Sequence, residues 1–410
     1  MNFKDRLRQL DGGETRYKKH VQKKIDHDAL AVLNGTTIKN DLGSFIRVQQ
    51  KIRLDGQHGV IGLAEANKLS SKLIATASKN KVSAEFDISR ALFIDTETTG
   101  LSGGTGTYAF LIGIGFLEKD QLVVEQLFMD NLNGEPALLA YLNELIKSHR
   151  GIVSFNGKSF DIPLLVTRFV RHRMNPVIDL HEHFDLLHAS RRLWQNDFGS
   201  CSLGTLEENV LGFRRIDDIP GKEIPNIYRE FLQSGLTGKL PQVMLHNKFD
   251  IISLLALVIW ITRWLDRDRL EMYSTSEALR LAKLYEATNA LHKAAGLFDS
   301  LISRTGLSKV EKTDARLRLA QLHKKQKSYA EAVHIWQDIV ENYSGNADAF
   351  IELAKYFEHR ERNFKAAMEY TRRCLNLVET RLALRQKKDL TLLKEQLIHR
   401  MNRLNKKCNQ

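Results

Sequence analysis

Hydrophobic positions along this chain change their spacing twice, and each change marks a new kind of segment. Residues 1–80 hold no sustained period. Basic patches such as RYKKHVQKK alternate there with turn signals such as LNGT and LDGQHG. That texture predicts a basic extension over 1–84, partly ordered, whose short strands pack on the next domain. From Glu85 the pattern tightens. ALFIDTE is a short apolar run with β-branched and aromatic residues, the mark of a buried strand. TYAFLIGIGFL and QLVVEQLFM come next with only the polar EKD between them, which predicts a hairpin and hence an antiparallel meander of three strands.

Helical spacing then enters. EPALLAYLNELIKSH repeats its apolar residues every three or four positions, with Pro136 in the first turn. GIVSFN is a further strand and IPLLVTRFVRHR a further helix. SLGTLEENVLG, IPNIYREFLQSG and the long LPQVMLHNKFDIISLLALVIWITRWL are also helical in pattern. A meander followed by alternating helix and strand predicts an α/β domain over 85–270, a mixed sheet flanked by helices.

From about Glu277 the pattern is all-helical and repeats. Leu319 and Ala320 recur as Leu353 and Ala354, and Ala332 and Trp336 as Ala366 and Tyr370, both at an offset of 34. A looser copy with Leu281, Ala282, Ala294 and Phe298 stands 38 residues earlier. This period predicts tetratricopeptide-like helical repeats over 277–400. Such an array has a concave face suited to a protein partner.

Composition adds less. With 43% hydrophobic and 27% charged residues the chain fits a folded soluble protein. Its longest apolar run, Ile251 to Trp264, is interrupted by Ser253, Thr262 and Arg263 and falls short of the roughly 18 residues of a membrane span. The N-terminus carries no stretch of signal-peptide length. Cys201, Cys374 and Cys408 show no paired spacing, which fits a reducing compartment; together these features predict a cytoplasmic protein with no membrane partner. The net charge of +12 is uneven: +7 over 1–90, −4 over 91–270 and +9 over 271–410. Basic flanks around an acidic centre suit contact with a polyanion.

The acidic centre contains the candidate chemistry. Asp95 and Glu97 in FIDTETTG lie two apart on a strand, so both side chains share one face. Two carboxylates side by side repel unless a cation sits between them. TTGLSGG then turns the chain where a substrate can approach its backbone, which makes Thr98 a candidate contact. In SFNGKSFDIPLL, Asn156 ends a strand and Asp161 opens a helix, where a carboxylate also serves as a cap. In HNKFDIISLL, His246 and Asp250 lie four apart and so on one helical face. Asp179, His181, His183 and Asp185 in IDLHEHFDLLH read as strand-end and core-edge residues. Four carboxylates on converging elements suit two Mg²⁺ or Mn²⁺ ions, and a histidine beside them suits proton transfer from water.

These three segments resemble, in order, the three exonuclease motifs of the DEDD, or DnaQ-like, 3′–5′ exonucleases, a superfamily with a ribonuclease H-like fold. The resemblance covers roughly residues 85–265. It implies hydrolysis of single-stranded DNA or RNA, with Asp95 as the ligand shared by both metals, Glu97, Asp161 and Asp250 completing the cage, and His246 as general base. The superfamily's His-type members carry the histidine five residues before the last aspartate and its Tyr-type members carry a tyrosine four before; this chain has a histidine at the four-residue spacing. With helical repeats behind it, the whole arrangement looks like the YprB-like ribonuclease H-like family. Two further classes fit parts of the pattern. One is a scaffold with a catalytically weak nucleic-acid-binding module that uses its repeats to recruit a partner. The other is a ribonuclease H-type endonuclease, which the late His-x-x-x-Asp pair disfavours.

Overall fold

A computed structural model describes residues 27–100, 106–178, 182–267, 272–343, 346–384 and 390–409. The chain forms two compact units, Met1–Thr262 and Arg263–Gln410.

The first unit begins with α1 (His27–Val32), the hairpin β1 (Thr36–Asn40) and β2 (Gly43–Arg53), and a two-residue ribbon, β3 (Gln57–His58) and β4 (Ile61–Gly62). Next come α2 (Ser71–Ala77) and the meander β5 (Ala91–Thr98), β6 (Ala109–Glu118) and β7 (Gln121–Phe128). After them stand α3 (Glu135–Ser148), β8 (Gly151–Ser154), α4 (Asp161–Arg171), β9 (Glu182–Asp185) and α5 (Leu186–Phe198). The short α6 (Leu203–Leu206) runs into a π-type turn over Glu207–Leu211, and α7 (Ile224–Ser234) and α8 (Leu240–Leu265) complete the series.

Seven strands form one mixed sheet in the order β1-β2-β7-β6-β5-β8-β9. β5 pairs antiparallel with β6 and parallel with β8, so it lies inside the sheet. Helices cover it, which is why ALFI is an unbroken apolar run with every residue buried. Residues 36–53, within the stretch expected as an extension whose short strands pack on the next domain, provide the outer two strands of this sheet: β2 pairs with β7 from Ile46 to Arg53. Sequence periodicity understated them because β1 is polar and mostly exposed, and β2 buries only three of its eleven residues.

α8 is long and apolar enough to cross a membrane, yet 72% of its most apolar window is buried inside the protein. It is a core helix, hydrophobic around its circumference for that reason. α4 is fastened to α3 by a buried fork: Arg168 donates through Nε to Glu135 Oε1 at 2.6 Å and through Nη2 to Oε2 at 2.5 Å. The same guanidinium lies 4.0 Å from the Tyr108 ring centroid. This fork sets the position of the helix that begins with Asp161.

The second unit is all-helical: α9 (Thr275–Ala287), α10 (Leu291–Ser303), α11 (Lys309–Lys325), α12 (Tyr329–Asn342), α13 (Ala347–His359), α14 (Phe364–Ala383) and α15 (Leu390–Cys408). Each packs on its neighbour in sequence. Capping boxes start α9 (Ser274 with Glu277) and α11 (Ser308 with Glu311). Ala294 and Ala332 are fully buried where helices approach. In the third pair that place is taken by Ala367, not by the expected Ala366, which is half-exposed. The connection between α13 and α14 is one residue longer than that between α11 and α12, and this advances the register by one.

Candidate catalytic and metal site

β5 carries Asp95 and Glu97 to the end of the sheet, where a β-bulge between Glu97 and Thr98 interrupts its pairing with β6. α8 brings up His246 and Asp250 one turn apart. His246 Nε2 lies 3.4 Å from Asp250 Oδ2 and 3.9 Å from Glu97 Oε1. Glu97, His246 and Asp250 offer three ligand atoms within 4.8 Å of one another. Asp95 and Asp161 stand outside that tight trio. Asp161, at the first residue of α4, accepts a 2.5 Å hydrogen bond from Thr96 Oγ1, and Asp95 Oδ2 accepts one of 2.9 Å from Asn247 Nδ2.

The electrostatics arise from crowding negative charge where water is scarce. Burial first, and then the charges of Asp250 and Asp161, push the Asp95 carboxyl well above the usual carboxylate range. Burial and the charges of Asp95, Asp250 and Asp161 do the same to Glu97. Burial raises Asp161 to about 6 against the lowering effect of the Thr96 bond. A cavity of about 440 Å³ opens onto this group, lined in part by Asp95, Phe155, Phe213, Arg214, His246 and Asp250.

A sequence profile described as the RNase_H superfamily matches residues 92–262. The chain is also 33% identical over 329 residues to "Uncharacterized protein YprB" of Bacillus subtilis (strain 168), an overlap of 79% of this chain and 78% of that protein. This chain belongs to the YprB family. The match of residues 92–262 to the RNase H superfamily points to nucleic acid as the substrate and to divalent metal ions as cofactors.

The donor set in this YprB-family chain fits such ions. Carboxylate oxygens are hard ligands, and a divalent cation would offset the burial and the mutual repulsion that push the Asp95 and Glu97 carboxyls up. His246 is oriented by Asp218, whose Oδ1 lies 2.7 Å from Nδ1. Arg215 Nη1 is 3.2 Å from the same nitrogen. Two donors cannot share that contact, so the shorter approach to the carboxylate decides: Nδ1 carries the proton and Nε2 faces Glu97 and Asp250 as the acceptor.

The other named residues divide. Asn156 is exposed, with a left-handed φ of 65°, and its backbone N–H donates to Asp185 Oδ1 at 2.9 Å. Thr98 is buried and its hydroxyl donates to the Gly100 carbonyl at 2.7 Å. Residues 101–104 of the TTGLSGG turn, together with Asp179 and His181, lie outside the described residues. Asp185 does more than end a strand. It also accepts from the backbone N–H groups of Lys158 and Leu187, and so shapes the turn that leads to Asp161. His183 is a half-buried partner of Ser154 at 2.7 Å, its pKa pushed by desolvation to about 4.

Sequence reasoning missed several participants, Asp218 and Glu207 among them. Arg215 donates to Asp250 and forks onto Glu207; the pull of these carboxylates outweighs desolvation and raises its pKa. Asn247 sits in the middle of a helix beside the obvious histidine. Gly113 pairs with Asp95 across the sheet and leaves room for the Asn247 amide. Glycine inside an apolar strand is itself a signal of close approach by another group.

Proposed function

We propose that this chain is a 3′–5′ exonuclease of the DEDD type, acting on single-stranded nucleic acid through two divalent ions. The observation that carries the proposal is the meeting of β5 and α8 at one acidic cavity, with Glu97, His246 and Asp250 offering ligand atoms within 4.8 Å of one another and Asp161 of α4 bonded to Thr96 of β5. Asp95, Glu97, Asp161 and Asp250 are the proposed metal ligands and His246 the general base. Bound Mg²⁺ or Mn²⁺ would supply the positive charge that binds the scissile phosphate and stabilises its transition state. His246 receives the proton of the attacking water at Nε2, while Asp218 holds the imidazole by Nδ1 and steadies the imidazolium that forms. Asn156 at the rim and the main chain beside Thr98 are the proposed substrate contacts. The second unit, which we propose to be a tetratricopeptide-type array, is free to carry a protein partner.

Labelled single-stranded RNA and DNA, incubated with the full chain with and without Mn²⁺, test this. Products should shorten from the 3′ end, and EDTA should abolish cleavage. Asp95→Ala should lower the rate at least about a hundredfold. Wild-type activity in Asp95→Ala would overturn the mechanism.

A further inference from the structure

A chain of buried polar groups runs from the N-terminal ribbon to the candidate metal site. Ser253, on α8 and wholly buried, donates its hydroxyl proton to Glu207 Oε1. That proton is thereby committed, so the 2.8 Å contact between Ser253 Oγ and His58 Nε2 requires the imidazole to donate. Glu207 then grips Arg215, accepting from Nε at 2.8 Å and from Nη2 at 2.6 Å. Nη2 reaches on to Asp250 Oδ1. The other oxygen of Asp250 is left toward His246 Nε2.

The ribbon that carries His58 is locked in place. The Val60 N–H donates to the Leu211 carbonyl at 2.8 Å, within the π-type turn that Glu207 opens. Gly59 has a φ of +61°, and a Cβ there would lie 2.0 Å from the same oxygen. The His58 ring also packs at a tilt of 33° against Phe213, with ring centroids 3.9 Å apart. Burial pushes His58 down to about 4, so the imidazole is neutral at physiological pH and donates from Nε2 without bringing a charge to the chain of bonds.

Buried polar groups cost stability unless every partner is in place, and a satisfied chain of them fixes one geometry. This chain ends on Asp250. We propose that His58, Ser253 and Glu207 act through Arg215 as positioning residues for Asp250, so that Oδ1 is held by the guanidinium and Oδ2 faces Glu97 and His246. The proposal rests on Asp250 being a metal ligand, and gives the N-terminal ribbon a part in the site.

Calorimetric titration of Mn²⁺ into the full chain, without nucleic acid, tests it. Ser253→Ala and His58→Ala leave the charge of the site unchanged. Each should weaken Mn²⁺ binding about tenfold, at the lower end of what groups supporting a metal ligand contribute. kcat should fall more than KM rises. His58→Gln, which keeps an amide donor near the Nε2 position, should restore most of the lost affinity. Thermal unfolding reports whether each variant is folded; if Ser253→Ala is not, Ser253→Cys keeps the volume with a weaker donor and should show the same loss. Wild-type Mn²⁺ affinity in the folded Ser253 and His58 variants, with binding lost in Asp250→Asn, overturns the relay alone. Unchanged affinity in Asp250→Asn overturns the ligand assignment, and the relay with it.

Discussion

Replacing Gly113 by alanine probes the site at its most crowded point. A Cβ at this position would lie 2.4 Å from Asn247 Oδ1, 2.7 Å from Nδ2 and 2.8 Å from Cγ. The Asn247 side chain is fully buried, bonded through Nδ2 to Asp95 at 2.9 Å and through Oδ1 to Gln126 at 3.0 Å. The amide has no open space to swing into, so it must retreat and break one of these bonds. Overpacking of a tight core costs about 1–3 kcal/mol. Leaving a buried polar group without its partner costs about 1–3 kcal/mol more. A total near 4 kcal/mol corresponds to a fall in Tm of about 8–16 °C for a unit of this size. Displacing Asp95 by an ångström should lower the cleavage rate about a hundredfold. Calorimetry with a single-turnover cleavage assay measures both effects. Adding Asn247→Ala should recover much of the Tm, since it frees the volume, but not the rate, since Asp95 still lacks its donor. Wild-type unfolding temperature and rate in Gly113→Ala would refute the reasoning.

Other predictions concern charge. The Asp161 carboxyl is raised by burial to about 6, so the native state favours its protonated form. A raised carboxyl contributes stability that is present at low pH and is lost as pH rises through its folded pKa. In EDTA, Asp161→Asn should therefore gain on the wild type between pH 4 and 7 by about 3 kcal/mol, the free energy of holding this carboxyl at about 6 and not at its ordinary value. A difference in urea-unfolding free energy that does not vary with pH would refute this. Glu135→Gln leaves the Arg168 guanidinium buried and poorly paired, and should cost about 3–5 kcal/mol. An unchanged Tm in that variant would show that the fork does not anchor α4.

The parts of the site legible in the sequence are those fixed by local geometry. Asp95 and Glu97 share a face because strands alternate, and His246 with Asp250 because helices turn every 3.6 residues. The long apolar run after Asp250 marked α8 over the bounds it occupies. What stayed hidden depends on contacts between distant segments. Arg215 meets Asp250 from 35 residues away, and Asn247 meets Asp95 from 152. No period encodes such meetings, and in sequence Arg215 looks like any other basic residue in a loop. Asp185 is similar: only the fold reveals that its oxygens collect the backbone donors of the turn before Asp161. The repeat register slipped at Ala366 because a one-residue change in loop length leaves helical spacing intact on either side.

The pairing of β2 with β7 has a consequence for how the chain is made. Arg53 pairs with Gln121 and Ile46 with Phe128, so the hairpin is synthesised some 70–80 residues before its docking edge exists. At ribosomal speeds of about 5–20 residues per second, it waits on the order of 4–15 s. During that interval β2 must stay soluble, and its mostly polar, basic QQKIR segment allows this. Once docked, the hairpin replaces an apolar edge strand, QLVVEQLF, with a short polar one, TTIKN, that offers neighbouring molecules little to pair with. A fragment started at residue 85 would keep every candidate ligand of the nuclease site but present that β7 edge bare, and would tend to self-associate strand to strand.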